Sequence, residues 1–533
     1  MRFFPGNFTD YERIFIFNSF GLLQKGIFCM KSARRFLYGI LVLLFIVMNF
    51  PAFAEDAFYD TSVFAGKKIA VQTGSTSVDC VEDFIDNPDL RYYSATTDMI
   101  TAVANGKVDA CIADEPIALY LSAEIDGIRV EPLDSSADYI AFACGKSTEG
   151  EQLAAQLNEF IRGLEESGKL SELQNKWFNG SEKERTLEDY SGYPDINGTL
   201  KIATEASYAP FEYVKENRII GFDIELVTSF CKEYGYRPVI TNVDFSGIVA
   251  GVSVGKYDIG ASGLTITEER KNSITFTDPV YVSRYAIVFR DEDAAEANSS
   301  IGESFRKTFL TESRWKIFAE GALVTIEITV ISILAGTVLG FLWYLLCRKN
   351  IRAVNTVSVL FRKLVHGMPT VVLLMILYYI IFGPTDVSET LTAVIGFSII
   401  FACFMISALE TGVRAVDPGQ LLAARALGYT DTRAFFKIIL PQAAGFIWPS
   451  YIEEISSHIK ATSIVGYIAV VDITKAGDII RGRTYDAFFP LISVAIIYFI
   501  MAAVLKILLG LVRTSTDPYL RSQAHILRGV TEK

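Results

Sequence analysis

Residues 419–442 read GQLLAARALGYTDTRAFFKIILPQ, and the rest of the chain is organised around them. The stretch is polar and basic, with Arg425, Arg433 and Lys437, yet it lies between two long apolar segments. Its pattern predicts a helix, a turn at Gly428 and a second helix stopped near Pro441. Two short helices leaving the membrane on its positively charged side would form a docking element.

The spacing resembles the "EAA" loop of bacterial ABC-importer permeases: E-A-A, three residues, G, nine residues, I, one residue, L-P. Ala423 and Ala424 fill the alanines, Gly428 the glycine, Ile438 the isoleucine, and Leu440-Pro441 the L-P. Leu422 stands where the family has glutamate. Gly419-Gln420 before the motif and Gln442-Ala443 after it look like the amino-acid-importer branch. The resemblance implies that Gly419, Ala423, Ala424, Gly428, Leu440 and Pro441 belong to a loop that sits in a groove on a separate ATPase subunit.

Composition agrees with a membrane protein carrying a large soluble part. Apolar residues make up 51% of the 533, and the mean hydropathy is +0.32. Residues 55–318 hold 45 acidic and 25 basic side chains, net −20, whereas residues 319–533 hold 14 and 18, net +4. An acidic soluble half that precedes an apolar half argues against nucleic acid as a partner. Seven cysteines occur without a C-x-x-C or a Cys/His cluster, so neither a metal nor another cofactor is expected. A disulfide among Cys80, Cys111 and Cys144 and buried free thiols are both open.

Residues 1–29 carry no interpretable pattern. From Met30, a basic stretch (Lys31, Arg34, Arg35), an apolar run from Phe36 to Phe50 and Ala52-Phe53-Ala54 predict a signal peptide over 30–54. The apolar run is shorter than the ~20 residues a spanning helix needs. Met30 is an alternative start, and an uncleaved anchor is the alternative to cleavage.

Two α/β units follow. In the first, Lys67 to Thr73 is strand-like, and Gly74-Ser75-Thr76 opens a helix with free N–H groups. Val108 to Ala113 is an apolar strand that ends at Asp114-Glu115-Pro116. Residues 149–178 form an amphipathic helical stretch with Leu153, Leu157, Ile161 and Leu164 on one face. A polar linker covers 181–198. The second unit alternates strands (Leu200–Thr204, Arg237–Thr241, Ile259–Ser262) with helices, then runs into GLTITEER at 263–270.

Both units resemble the bacterial solute-binding proteins that hold polar amino acids between two lobes. The order is changed: lobe 2 with the helical tail (55–180) precedes lobe 1 (199–300). The resemblance therefore implies a circularly permuted clamshell, with two decayed half-domains as the alternative. It also implies ligand positions. A zwitterion's carboxylate needs a guanidinium and donors, which Arg270, Thr265, Gly263 and Thr76 could supply. Its ammonium needs a carboxylate, for which Asp114 stands. Tyr208 or Phe211 would cover the side chain, and Glu205 matches an acid near the ligand's side chain.

A second linker covers 301–317, and residues 318–515 read as a permease domain. Candidate spans are Ala322–Leu346, Thr370–Phe382, Thr390–Ala408, Ala443–Val465 and Ala487–Leu511. The second is expected to start nearer Leu364 and to bend at Gly367-Met368-Pro369. Basic residues in 347–363, in the 419–442 loop and in the tail (516–533) place those segments inside. Asp386 and Glu389 place 383–389 outside, and 466–486 is mixed in charge. Glu327, Glu410, Glu453, Glu454, His458 and Lys460 are polar groups within spans. His458-Ile459-Lys460-Ala461-Thr462-Ser463 resembles a K-x-T-S stretch of amino-acid permeases. Ser407 and Glu410 stand where that family has an acid and an arginine, and no role carries over there.

The one G-K-S, at Gly145 to Ser147, has Ile140 where a phosphate loop needs glycine, so the motor is another polypeptide. The expected fold is an α/β two-lobed, periplasmic-binding-protein-like clamshell followed by an all-α transmembrane permease domain of about five helices. The expected function is a non-enzymatic transport subunit in a bacterial inner membrane: uptake of a polar amino acid, with an ABC ATPase and a second copy of the chain as partners. A ligand-gated ion channel is the alternative, set back because both lobes precede all spans and a channel has no use for the 419–442 loop.

Overall fold

A computed structural model describes residues 59–291 and 301–516. The signal peptide at 30–54, the extension at 1–29 and all but the start of the tail at 516–533 lie outside the described residues.

From the N-terminal side the chain forms β1 (Lys68–Gln72), β2 (Asp89–Tyr93), α1 (Thr96–Ala104), β3 (Ala110–Asp114), β4 (Ile128–Pro132), β5 (Asp138–Ile140), β6 (Ala143–Cys144) and α2 (Thr148–Glu166). Every residue of β3 is buried, as expected of a parallel strand covered on both faces. Ser147 caps α2 by accepting the Gly150 N–H at 3.2 Å. Leu153, Leu157, Phe160 and Ile161 form the buried face of α2.

The second segment forms β7 (Thr199–Thr204), β8 (Ser207–Tyr208), β9 (Glu212–Lys215), β10 (Arg218–Ile220), β11 (Arg237–Asn242), α3 (Phe245–Ser253), β12 (Ile259–Gly260), β13 (Thr275–Phe276), β14 (Tyr281–Ser283) and β15 (Tyr285–Arg290). Two five-stranded sheets result, ordered β2-β1-β3-β15-β4 and β11-β7-β12-β6-β13.

Each sheet has four strands of one direction from one segment and takes a single antiparallel strand from the other. β15 runs antiparallel between β3 and β4, and β6 lies antiparallel between β12 and β13. The sequence boundary at 199–300 therefore shifts: residues 285–290 belong to the sheet of the first unit, and residues 143–144 to that of the second. Strand alternation alone does not reveal which sheet a terminal strand joins. The β5–β14 pair, with Ile140 opposite Tyr281 and Asp138 opposite Ser283, forms the two adjacent crossings between the sheets.

The helical half comprises α4 (Trp315–Cys347), α5 (Arg352–Gly367), α6 (Glu389–Arg414), α7 (Pro418–Ala426), α8 (Leu440–Ala461), α9 (Ile473–Thr484) and α10 (Phe488–Thr516). Among the described residues, α4, α6 and α10 are long and apolar enough to cross a membrane. α5 and the helical run Thr370–Ile381 would make a fourth span if counted together, but they are bent by 108°. The break falls at the foreseen Gly367-Met368-Pro369, far sharper than a bend within one span. Residues 352–363, read as a loop, are helical. The foreseen span Ala443–Val465 is α-helical to Ala461, tightens to a 3-10 helix over Thr462–Ile468, and carries Glu453, Glu454, His458 and Lys460, which lower its hydropathy.

α4 packs on α6 through Gly336 and Gly340. A Cβ at Gly336 would stand 2.7 Å from the Phe401 Cβ, and one at Gly340 2.7 Å from the Met405 Cβ. Small residues four apart allow such close helix contact in lipid.

Candidate functional site: a cleft between two sheets and the 419–442 loop

The cleft lies where strand ends of the two sheets meet. From the first sheet come Gln72 at the end of β1, Thr76 just before the next helix, and Asp114 at the end of β3. From the second segment come Tyr208 on β8, which lies in a separate three-stranded sheet β10-β9-β8, and Gly263 and Thr265 after β12. With Tyr285 and Phe245 they enclose about 20 Å³. The walls are tied together. The Thr76 hydroxyl is 2.5 Å from the Tyr285 hydroxyl and 3.2 Å from that of Thr265. Tyr208 donates its hydroxyl to Asp114 Oδ2. Arg270 donates to the Thr265 carbonyl of its own segment and to the Gly74 carbonyl across the cleft, both at 2.9 Å. Its guanidinium lies 5.6 Å from the centre of the Phe245 ring.

Five of the eight residues foreseen from sequence line this cavity: Thr76, Asp114, Tyr208, Gly263 and Thr265; Arg270 does not line it but bonds to Thr265 and Gly74 beside it. Glu205 does not line this cavity. It lines an adjoining one and touches the cleft through Gln72, whose amide nitrogen is 3.4 Å from Glu205 Oε2. Phe211 is fully buried behind Tyr208, at 5.6 Å between ring centres, in a cluster with Phe178, Phe222 and Tyr281. Of the two rings offered by the sequence, Tyr208 is the one at the cavity. Alternation places Tyr208 and Phe211 in one loop without saying which ring faces inward.

Asp138, Tyr285 and Gln72 were not foreseen. Asp138 accepts the Thr265 hydroxyl at 2.9 Å. Burial, and then the charge of Asp138, hold the Asp114 carboxyl well above the usual carboxylate range. Burial raises Asp138 as well. Asp114 Oδ1 is buried and makes no hydrogen bond among the described residues. Two buried acids with a free acceptor suit a cation. Asp138 sits at the first residue of a crossing strand, with no local motif to mark it.

Gly263 is held by its neighbours. Its N–H donates to Asp223 Oδ2 at 2.9 Å, its φ is +53°, and a Cβ there would lie 2.7 Å from Tyr208 Cε1. Asp223, raised by burial to about 7, and Glu212, raised well above its usual range mainly by burial, form the layer beneath. Glu212 accepts the Ser262 hydroxyl at 2.8 Å, and Ser262 Oγ in turn accepts the Glu205 N–H at 3.0 Å.

The 419–442 stretch forms α7, a turn, and a helical run from Asp431 that continues into α8. Gly428 has φ +82°, and no atom of the described chain lies within 4 Å of a Cβ built there. Arg425 closes the turn on Asp431 at 2.8 Å. The second helix does not stop near Pro441. Residues Phe435–Ile439 form a wide π turn, and Pro441 occupies the first turn of α8. The wider turn accommodates a proline whose ring would clash with the carbonyl four residues back in a regular helix. Ala424 is buried, whereas Leu422 and Leu427 are 64% and 77% exposed.

Several polar groups of the helical half have partners. Arg362 bridges Glu410 at 3.1 Å and Ser407 at 3.0 Å, so an arginine does reach those positions, from another helix. His458 Nε2 is 2.8 Å from the Ser332 hydroxyl, and Glu453 pairs with Lys506 at 2.7 Å. Cys80, Cys111 and Cys144 are free thiols, buried in the first unit and its crossing. No group of three or more metal-type ligands occurs among the described residues.

Residues 200–446 match the family model of bacterial extracellular solute-binding proteins, family 3. A putative glutamine transport system permease protein of Rickettsia conorii is 32% identical over 197 residues, 36% of this chain and 89% of that protein. The arginine-binding extracellular protein ArtP of Bacillus subtilis is 33% identical over 107 residues, 20% of this chain and 42% of that protein. The crystal structure of an amino acid ABC transporter with histidines is 29% identical, covers 39% of this chain and 98% of its own, and has a TM-score of 0.36. A solute-binding unit joined to apolar helices defines a membrane transport protein. Within that class, the chain belongs to the family of amino-acid ABC transporter permeases, and it is an ABC importer component that carries its solute-binding domain on the same polypeptide.

Proposed function

We propose that the chain takes up a polar amino acid, which it captures between the two sheets. The observation that carries this reading is the convergence of opposite charges from separate segments. Arg270 stands for the ligand's carboxylate, and Asp114 with Asp138 for its ammonium. Thr76, Thr265 and the Gly263 backbone add polar contacts, and Tyr208 covers the side chain. The reciprocal exchange of β6 and β15 supports a single permuted clamshell that hinges at β5–β14.

Five spans with the binding domain outside would need α8 and the bent run Arg352–Ile381 to cross as well as α4, α6 and α10. Lys201 pairs with Asp386 at 2.5 Å, and Lys256 donates to the Val387 carbonyl at 2.7 Å. The domain thus rests on the 383–388 loop, at the opposite ends of α6 and α8 from the 419–442 loop. That loop, with exposed Leu422 and Leu427, is read as the contact for an ATPase subunit. One loop per chain calls for two copies, as a symmetric homodimer.

The test is binding of L-glutamine and L-arginine to the full chain in nanodiscs. Arg270→Ala and Asp114→Ala each remove one partner of a charge pair and should cost about 2–5 kcal/mol of binding. Affinity within a few-fold of wild type for both variants would show that the ligand sits elsewhere.

A further inference from the structure

The cleft of about 20 Å³ exceeds only slightly the ~10–15 Å³ that a single water needs, and is far below the ~300 Å³ at which small-ligand sites begin. A far larger space adjoins it. A chamber of about 330 Å³ lies between the two α/β units and the helical half. That volume falls within the ~300–1,000 Å³ of small-ligand sites. Its floor is the turn after α8, with Ser463 and Tyr467, and its side is α9. Its roof is supplied by both units: Thr97 and Asp98 of α1, and Glu205, Asn242 and Asp244 of the second segment.

Charges of both signs face this space. Lys475 of α9 pairs with Asp244 at 2.8 Å, and Arg481 of α9 pairs with Asp98 at 2.7 Å and with Asp478 at 3.0 Å. One short helix therefore holds both units, each by its own ion pair. Burial works against the charge on Lys475, but Asp244 and Glu205 outweigh it and lift its pKa above the usual value. Glu205 is 5% exposed, and it is the wall shared with the cleft through Gln72.

We propose that this chamber is a second amino-acid site, holding the zwitterion after it leaves the cleft and before it enters the membrane helices. Lys475 and Arg481 receive its carboxylate, and Asp244 and Asp478 its ammonium. The Gln72–Glu205 contact is the partition that the ligand crosses. This rests on the uptake reading above and extends it from one site to two in sequence.

The experiment counts bound amino acid on the full chain in nanodiscs, with radiolabelled L-glutamine and L-arginine as probes. Ser463→Trp and Ile479→Trp fill the chamber from two different walls, so a folding failure of one leaves the other to be read. Wild type should saturate at two ligands per chain. Either chamber substitution should leave one, with the remaining affinity changed no more than a few-fold. Arg270→Ala should leave the other one. Saturation at one ligand per chain, lost in Arg270→Ala and untouched by both chamber substitutions, overturns the second site and leaves the cleft standing. No binding of either probe by wild type overturns both.

Discussion

The cleft and the 419–442 loop are built in opposite ways. In the cleft, Asp114, Gly263 and Thr265 are fixed by neighbours far away in sequence, and Arg270 ties Thr265 to Gly74. In the loop, the Gly428 turn is held by a contact six residues long, between Arg425 and Asp431, and Leu422 and Leu427 face outward. Where a site is fixed by its own fold, changing it disturbs stability and binding together. Where a site is fixed locally and faces outward, changing it should disturb only what docks there.

The largest effect expected is at the loop. Gly428→Asp introduces a residue that tolerates a left-handed backbone, and its Cβ would meet no atom within 4 Å among the described residues. It puts a charge where the ATPase is read to dock. Uptake and ligand-stimulated ATP hydrolysis in proteoliposomes with the partner ATPase should fall to background. Amino-acid binding and the thermal midpoint should stay at wild-type values. Normal stimulated hydrolysis would mean that this loop is not the coupling element, and the contrast with the cleft would collapse.

Splitting the chain tests the fold on the cleft side. Because β6 and β15 are exchanged, neither 59–180 nor 199–291 completes its own sheet. Each fragment alone should lack cooperative unfolding, and co-expression should restore it. Two independently folding fragments would dissolve the single clamshell into two half-domains.

How much of this was legible follows the same division. Arg270 and Thr265 were readable because GLTITEER is a contiguous motif, and Asp114 because it ends an apolar strand. Asp138 and Tyr285 were not, since each is an isolated polar residue at the start of a strand; Asp138 reaches the cleft through the β5–β14 pairing and Tyr285 through the β15–β3 pairing that sets it opposite Asp114. α9 read as a loop of mixed charge. Its lysine and arginine have partners in Asp244 and Asp98, far upstream, and no spacing rule connects them. The loop's turn at Gly428 was readable from glycine alone. Pro441 misled because a π turn ahead of it lets the helix continue.

A smaller effect is expected at Gly263→Ala. A left-handed backbone at φ +53° and a Cβ 2.7 Å from the Tyr208 ring together strain the variant. The expected loss is about 1–3 kcal/mol of stability. Since Tyr208 must shift away from Asp114, binding should weaken in the same variant, and calorimetry with ligand titration reads both. Loss of stability without loss of binding would separate the two properties that the cleft is argued to share.

The smallest effect is a slope. Burial lifts the Glu205 carboxyl from its ordinary 4.5 to about 8; Lys475 and the Gln72 hydrogen bond pull it back without cancelling the rise. Between those values the folded chain keeps a proton that the unfolded chain has lost. The folded state therefore binds more protons, and stability must fall as pH rises through this window. Burial raises Asp223 to about 7, and Asp114, Asp138 and Glu212 are raised as well, so all contribute with the same sign. The thermal midpoint of the full chain in nanodiscs should thus drop from pH 5 to pH 8.5. Glu205→Gln keeps a hydrogen-bonding side chain but has no proton to lose, so its slope should be shallower rather than flat. Between pH 7 and 8, beyond the Asp223 value, the difference between variant and wild type should be clearest. Equal slopes in that interval would mean that Glu205 is ionised in the folded chain. It would then be a charge open to water on the chamber side, and the buried partition between the two cavities would be lost.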